Sequence, residues 1–227
     1  MAASLRLLAA RRSVSYGGAA GIGGGENGGG GTITINGGIV KATGSYSGAG
    51  IGGGSRDGGN SVITINGGTV TATAENSVGD PAGIGGGSYG SATVTITGGN
   101  ITATGCGKGI GNGANKQTGS VTILGGVITA NGIGVGNYDS FANTSIRGDA
   151  VVISTGPVDT TNQASWEGIV IVQGSGKMYS DRVTIVENCT LPADVALSIE
   201  ANQTVTIPEN VTLVNNGTIT NLSLIHI

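Results

Sequence analysis

The sequence predicts an all-β protein whose chain winds into a parallel β-helix, or β-solenoid, with three short strands in each coil. One observation is a glycine-rich pattern that recurs through the first two-thirds of the 227 residues. A second is that each copy contains segments in which β-branched and polar residues alternate, as they do in a strand with one buried face. Copies that recur every 23 to 33 residues indicate a solenoid, because each copy buries its apolar face against its neighbours.

The clearest copy, residues 48–73, reads GAGIGGGSRDGGNSVITINGGTVTAT and predicts the three sides of one coil. Residues 62–66 and 69–73 are expected to be strands, and the Asn-Gly-Gly sequence between them favours a sharp turn. The third side is the short segment around Ile51, where one inward side chain is flanked by glycines that let other backbone pass closely. The same isoleucine recurs at Ile22, Ile84, Ile110 and Ile133.

The composition agrees with a solenoid interior. Forty-seven glycines and only 3% aromatic residues are unsuited to a conventional core of large side chains. A solenoid instead stacks small or β-branched residues in rows on successive coils. The sequence predicts two such rows on the third strands: Val40, Val70, Ile101 and Ile128, and Ala42, Ala72, Ala103 and Ala130.

The predicted organisation has four parts. Residues 1–14 lack the repeat and are either a short cap helix or a misplaced start. Residues 15–149 are glycine-rich repeats and residues 150–221 are leaner coils of the same solenoid, which together give about seven coils. Residues 222–227, LSLIHI, resemble the translation of a sequencing-library adapter and are expected to be an artefact, so His226 is given no role. The repeat pattern breaks off before them, and we expect a fragment of a longer chain.

Threonines dominate the outward positions of the predicted strands. If the alternating Ile and Val residues point inward, the threonines between them form columns about 4.8 Å apart from coil to coil. The candidate ligand-binding residues are therefore Thr34, Thr64, Thr95 and Thr122 in one column, Thr71 and Thr102 in a second, and Thr73 and Thr104 in a third. The alternative is that these threonines bind no ligand and only make the outer face of each strand polar, because threonine favours strands.

Other functional chemistry is not expected from the sequence. The thirteen acidic residues are scattered, with no pair predicted at equivalent outward positions on adjacent coils, so we predict no enzyme. We expect no cofactor and no metal; a calcium ion held by Asp57 and Asn60 is the alternative. Cys106 and Cys189 are not expected to form a disulfide. The net charge of -3 argues against nucleic acid as a partner, and no apolar run is long enough for membrane insertion.

The recurring GIGGG and ITINGGTVTAT segments, within residues 15–221, resemble the glycine-rich right-handed parallel β-helix repeats of bacterial cell-surface and secreted adhesin-like proteins, some of them carbohydrate-binding. The resemblance implies a right-handed coil, an extracellular or cell-surface location, and a non-enzymatic structural or adhesive role with weak binding of a polysaccharide or surface glycan. The alternatives are a dedicated carbohydrate-binding module, an ice-binding protein that uses its threonine arrays, and a polysaccharide lyase. No ligand residues of such proteins can be matched onto this chain.

Overall fold

The computed structural model describes residues 4–7, 18–55, 60–75, 79–114, 118–134 and 143–222. Within these ranges the regular structure is β, apart from one 3-10 turn at Gln163–Ser165. The chain forms a parallel β-helix of about seven coils, which confirms the predicted all-β solenoid.

The first strand, β1 (Ser4–Leu7), is followed by five coils of three strands each. In chain order the strands of these coils are β2 (Ile22–Gly23), β3 (Gly31–Ile35) and β4 (Ile39–Gly44); β5 (Ile51–Gly52), β6 (Ser61–Ile65) and β7 (Thr69–Ala74); β8 (Ile84–Gly85), β9 (Ala92–Ile96) and β10 (Asn100–Thr104); β11 (Ile110–Gly111), β12 (Gly119–Ile123) and β13 (Val127–Ala130); and β14 (Ile133–Gly134), β15 (Thr144–Ile146) and β16 (Val151–Ser154).

The remaining strands complete a sixth turn and a C-terminal unit. They are β17 (Ile169–Val172), β18 (Ser175–Met178), β19 (Arg182–Thr184), β20 (Cys189–Leu191), β21 (Ala196–Ile199), β22 (Thr204–Thr206), β23 (Leu213–Asn215) and β24 (Thr218–Asn221). We call the segment from β18 to β24 the C-terminal unit, and the coils before it the N-terminal solenoid.

Corresponding strands of successive coils pair with one another and form the sheets. The first strands make the glycine sheet, β2-β5-β8-β11-β14, and the second strands make the threonine sheet, β3-β6-β9-β12-β15. The third strands lie in the long sheet, β1-β4-β7-β10-β13-β16-β17-β18-β21-β24. Two further pairs, β19-β22 and β20-β23, form the other sides of the C-terminal unit.

The core of the N-terminal solenoid consists of stacked rows, as predicted. Ile51, Ile84, Ile110 and Ile133 are fully buried and pair in register on the glycine sheet. The two rows predicted on the long sheet are also buried and in register. Because each side chain stacks on a similar one in the next coil, aliphatic residues of modest size fill the interior.

From β5 onward the glycine sheet is buried on its outer face as well, because the loop before a coil folds across that face. The loop before the second coil reaches the third coil, where the backbone N–H of Ser88 donates to the carbonyl of Ser47 at 2.7 Å. The next loop makes the same kind of contact one coil further on, from the N–H of Ala114 to the carbonyl of Gly79 at 3.1 Å.

Glycine is required where these layers meet. A Cβ at Gly83 would lie 2.7 Å from the amide nitrogen of Thr104 and 2.8 Å from the carbonyl oxygen of Gly109, closer than real Cβ contacts. Gly85, two residues later, has a φ of +140°, which side-chain-bearing residues rarely adopt. The glycine-rich composition therefore serves close passage of backbone around this short sheet.

The direction of the long sheet reverses after β17. A hairpin joins β17 to β18 in antiparallel register, with Val172 opposite Ser175. Its two central residues, Gln173 and Gly174, have φ of 50° and 82°, the positive values that a two-residue type I′ turn requires. After the hairpin, β21 pairs in parallel with β18 on one side and with β24 on the other.

The reversal moves the core to the opposite face of the long sheet. Ile153 and Ile171 point away from the N-terminal solenoid, yet both are buried in the core of the C-terminal unit, together with Met178 and Leu197. The strand direction and the buried face of the sheet reverse together, and successive strands are still added at the same edge of the sheet. The two reversals cancel, so the hand of the winding does not change. The structure thus differs from the expectation that one solenoid simply continues through residues 150–221.

Trp166 closes the core of the N-terminal solenoid at the sixth turn. The 3-10 turn and Trp166 take the place of a threonine-sheet strand there, and the indole packs into the core at 4% exposure. The ring of Tyr179 meets it edge-on, with centroids 5.3 Å apart and planes at 68°. The hydroxyl of Tyr179 accepts a 2.5 Å hydrogen bond from the side-chain amide of Gln163.

At the N-terminus, Ser4–Leu7 form a strand in parallel register with β4, where a cap helix was one of two expectations. The rest of the segment 1–14, Asp57, and residues 223–227 with His226 lie outside the described residues.

Candidate functional site

The most regular outward surface is on the threonine sheet. Thr34, Thr64, Thr95 and Thr122 pair directly with one another, and Ser145 extends this column to a fifth coil. Thr34 is exposed and the other four are partly exposed. Paired residues of a parallel sheet lie about 4.8 Å apart, so the column presents hydroxyl groups at a regular spacing.

A second column lies beside the first and was not predicted. It consists of Thr32, Val62, Thr93 and Ser120, two residues earlier on the same strands. Because Val62 interrupts the threonine pattern, a search of the sequence for rows of threonine does not find this column. The period-two alternation of the strands nevertheless places these residues on the outward face.

One edge of this face is fixed by side chains that bond from coil to coil. The amide nitrogen of Asn66 donates to the side-chain oxygen of Asn36 at 2.8 Å, and the hydroxyl of Thr97 donates to the side-chain oxygen of Asn66 at 3.0 Å. Such a ladder holds the register of three successive coils at the end of the columns.

The long sheet carries the other predicted residues in shorter columns. Thr71, Thr102 and Thr129 pair in register next to Lys41, and Thr43, Thr73 and Thr104 form the neighbouring column. Thr102 and Thr104 are exposed, whereas Thr71 and Thr73 are partly exposed. The predicted columns therefore exist on both sheets, while their role as binding residues stays a prediction.

The C-terminal unit covers part of the long sheet. The column of Thr71 continues into Ile153, which is buried beneath that unit. The unit reaches as far as β10, where the side-chain amide of Asn100 donates to the carbonyl of Asn188 at 3.2 Å. The threonine sheet consequently offers the longer continuous hydroxyl column.

A metal centre is not apparent in the described ranges. Within them no group of three or more His, Cys, Asp and Glu side chains lies close enough to hold an ion. Asn60 is exposed just before β6, and its predicted partner Asp57 falls in a gap of the description. The buried carboxylate of Asp159 has a structural function, since it accepts hydrogen bonds from the N–H groups of Thr144 (3.1 Å) and Thr161 (2.9 Å).

The shifted pKa values belong to buried groups away from the columns. Burial raises the pKa of the Cys189 thiol to about 11, and burial together with the charge of Asp80 raises the pKa of Cys106. Burial lowers the pKa of Lys108, and Asp80 opposes this shift. Neither thiol is in a disulfide, and the raised pKa values hold both in the neutral form, which is a poor nucleophile. Cys189 also lines an otherwise aliphatic cavity of about 160 Å³ in the C-terminal unit.

Comparison with known families agrees with the coil geometry. Three stretches of the chain, 33–55, 63–88 and 94–114, match the family model for a beta helix repeat. The chain folds as a parallel β-helix, and the three matched stretches are beta helix repeats. Each match starts at the third residue of a threonine-sheet strand and extends past the glycine-sheet strand of the next coil, so each covers one turn of the β-helix.

No curated protein and no solved structure matches this β-helix significantly. Among the described residues, no helix has the length and apolar character needed to cross a membrane.

Proposed function

We propose that this β-helix is a non-enzymatic structural and adhesive segment of a bacterial cell-surface or secreted protein, and that it binds an extended polysaccharide weakly along the threonine sheet. The observation that carries the proposal is the in-register column of Thr34, Thr64, Thr95, Thr122 and Ser145, on five successive coils.

The chemistry of the column suits a polymer of repeating hydroxyl groups. Each threonine offers a hydroxyl that both donates and accepts and a methyl group that packs against apolar C–H surface. A single hydrogen bond that replaces bonds to water contributes only about 1 kcal/mol, so one contact binds weakly. A long chain lying along the column makes several such contacts at once, and their sum supports measurable binding.

An adhesive role without catalysis accords with the surroundings of the column. Two residues before Thr34, Thr64, Thr95 and Thr122 on the same strands stand Thr, Val, Thr and Ser, while Ser145 at the end of the column accepts a 3.3 Å hydrogen bond from the guanidinium of Arg147, a group that stays protonated. These neighbours provide hydrogen bonds and packing without a general acid or base. The proposal includes no cofactor and no nucleic-acid partner.

The experiment is retention of the purified chain on a panel of insoluble and immobilised polysaccharides, each with calcium and with chelator. The test variant is Thr64→Lys/Thr95→Lys, which places two long charged side chains in the middle of the column. Thr71→Lys/Thr102→Lys probes the long sheet in the same way, and Thr206→Lys, an exposed threonine of the C-terminal unit, is the matched control.

The proposal predicts saturable binding to at least one neutral polysaccharide, unaffected by chelator. Thr64→Lys/Thr95→Lys should weaken it about tenfold or more, because two adjacent contacts are lost and the column is blocked. Thr206→Lys should bind like the wild type. Binding to nothing on the panel, or equal binding by all variants, would reject the proposal. Ultraviolet-absorbing unsaturated products would indicate a lyase, and loss of binding in chelator would indicate a calcium site.

Ice binding is a second candidate, favoured by the pairing of two neighbouring hydroxyl-rich columns on one sheet. Thr32 with Thr34 and Thr93 with Thr95 repeat a two-residue spacing of about 6.7 Å along the strands, with about 4.8 Å between adjacent coils. Thermal hysteresis that disappears in Thr64→Lys/Thr95→Lys would support this candidate over polysaccharide binding.

A further inference from the structure

Two exposed tyrosines occupy turn positions that are unfavourable for tyrosine. Tyr89 is the third residue of turn 87–90, which is closed by a 2.8 Å backbone hydrogen bond, and its φ is 58°. Tyr46 is the second residue of turn 45–48, which is closed at 3.0 Å, and its φ is 55°. Both positions require positive φ, for which Gly and Asn are the favoured residues.

Another coil of the N-terminal solenoid shows which residue type suits the geometry of this turn. The turn 25–28 of the first coil corresponds to turn 87–90 of the third, and it is closed by the same backbone hydrogen bond at 2.9 Å. Its third residue is Asn27, with a φ of 59°. Tyr89 therefore stands where an asparagine satisfies the same geometry with less strain. A bulky residue held in a strained conformation at the surface points to a function other than folding.

The two tyrosines lie in one neighbourhood although 43 positions separate them in the sequence. The residue after Tyr46 and the residue before Tyr89 are joined by the 2.7 Å backbone hydrogen bond between Ser47 and Ser88. Chain geometry then limits the distance between the two tyrosine Cα atoms to about 14 Å at most. Tyr46 is 39% exposed and Tyr89 is 44% exposed, so neither residue is buried.

One member of the pair, Tyr89, adjoins the threonine sheet. Tyr89 lies three residues before β9, and Thr93, four residues after Tyr89, is on the outward face of that strand in the second hydroxyl column. A ligand that lies on the threonine sheet and continues over this corner of the β-helix meets the tyrosines next. The chain therefore places flat aromatic surface beside rows of hydroxyl groups.

We propose that Tyr46 and Tyr89 form an aromatic binding site for the pyranose rings of a polysaccharide, a site that rests on the proposed function and adds to the threonine columns. A pyranose ring has an apolar C–H face that packs on an aromatic ring and hydroxyl groups at its edge that hydrogen-bond. Tyrosine matches both, with an apolar body and a polar tip, and it loses little conformational freedom on binding.

The test variant is Tyr46→Asn/Tyr89→Asn, because asparagine tolerates the positive φ of both turns. We expect its unfolding midpoint to be unchanged or higher than that of the wild type, while its affinity for the polysaccharide retained in the panel falls at least about tenfold. Tyr46→Phe/Tyr89→Phe keeps both rings and should retain binding to within about threefold.

The outcomes separate this site from the proposed function. If the wild type binds, Thr64→Lys/Thr95→Lys fails to bind and Tyr46→Asn/Tyr89→Asn binds normally, the aromatic site is rejected and the threonine column stands. If the asparagine variant keeps the unfolding midpoint of the wild type or exceeds it and loses binding, while the phenylalanine variant keeps binding, the site is supported; an asparagine variant that is markedly less stable rejects the premise that the tyrosines are strained. If the phenylalanine variant loses binding as fully as the asparagine variant, ring packing is rejected. If the wild type binds no polysaccharide, both proposals fail.

Discussion

Replacement of Gly83 by alanine tests how closely the backbones pass at the glycine sheet. The new Cβ would lie 2.7 Å from the amide nitrogen of Thr104 and 2.8 Å from the carbonyl oxygen of Gly109, whereas ordinary contacts begin at 3.4 Å. Relief needs a movement of about 0.6 Å on the Gly109 side, and that carbonyl already accepts a 2.8 Å hydrogen bond from the N–H of Ile84.

The same movement stretches the Ile84 hydrogen bond to about 3.4 Å, where little of its energy remains. Losing one hydrogen bond costs about 1 kcal/mol, and overpacking a close-packed site costs about 1–3 kcal/mol. We therefore expect Gly83→Ala to lower the free energy of unfolding by about 2–4 kcal/mol.

The assay is urea unfolding followed by circular dichroism, with Gly25→Ala as the matched control. A Cβ at Gly25 meets no atom within 4 Å, so this variant should stay within about 0.5 kcal/mol of the wild type. Equal stability of the two alanine variants would refute the close passage of backbone at Gly83.

Two further predictions concern buried side chains. Trp166→Ala should lower the free energy of unfolding by about 3–5 kcal/mol, because it opens the end of the main core; a loss below about 1 kcal/mol in the same urea assay would contradict the closing role of the indole. For Cys189, the folded protein keeps the thiol proton up to about pH 11, whereas the unfolded chain loses it near the ordinary pKa of 9.0. Stability should therefore fall as pH rises from 9 to 11, and Cys189→Ala should show a shallower fall in denaturant titrations; equal slopes would argue against a buried neutral thiol.

The repeating part of the fold could be predicted because period-two alternation and coil-to-coil repetition agree. In residues 61–65, Ile63 and Ile65 face inward and Thr64 faces outward, and every neighbouring coil repeats the choice. A register slip would turn whole rows of isoleucine to solvent, so the pattern leaves one arrangement. The threonine columns follow directly from the same alternation.

The reversal of strand direction after β17 is harder to predict from the sequence. Val151–Ser154 and Ile169–Val172 are almost uninterrupted apolar runs, which indicate strands buried on both faces, and this accounts for Ile153 and Ile171 beneath the C-terminal unit. The turn at Gln173 and Gly174 is short, and the strand after it, SGKM, has none of the β-branched residues found in the strands before and after it, IVIV and RVT. The amino-acid composition of this segment therefore does not predict the strand β18.

The tyrosine pair could not be recognised from the sequence because its distinguishing feature is conformational. Tyr46 and Tyr89 stand out through positive φ and through a contact between loops of different coils. Neither follows from spacing, since the loop that crosses the glycine sheet varies in length from coil to coil. Three-dimensional placement of the loops was needed to bring the two residues together.

The in-register threonine column is tested most directly by disulfide crosslinking. In Thr64→Cys/Thr95→Cys the two cysteines occupy paired positions about 4.8 Å apart, within the Cα range that a disulfide spans. In the control, Thr64→Cys/Thr93→Cys, an offset of two residues along the strand raises the Cα separation to about 8 Å, beyond the limit of about 7 Å. Mild oxidation followed by peptide mapping should give an intramolecular disulfide in the first variant and none in the control. No crosslink in the first variant, or equal crosslinking in both, would contradict the register on which the proposed binding surface depends.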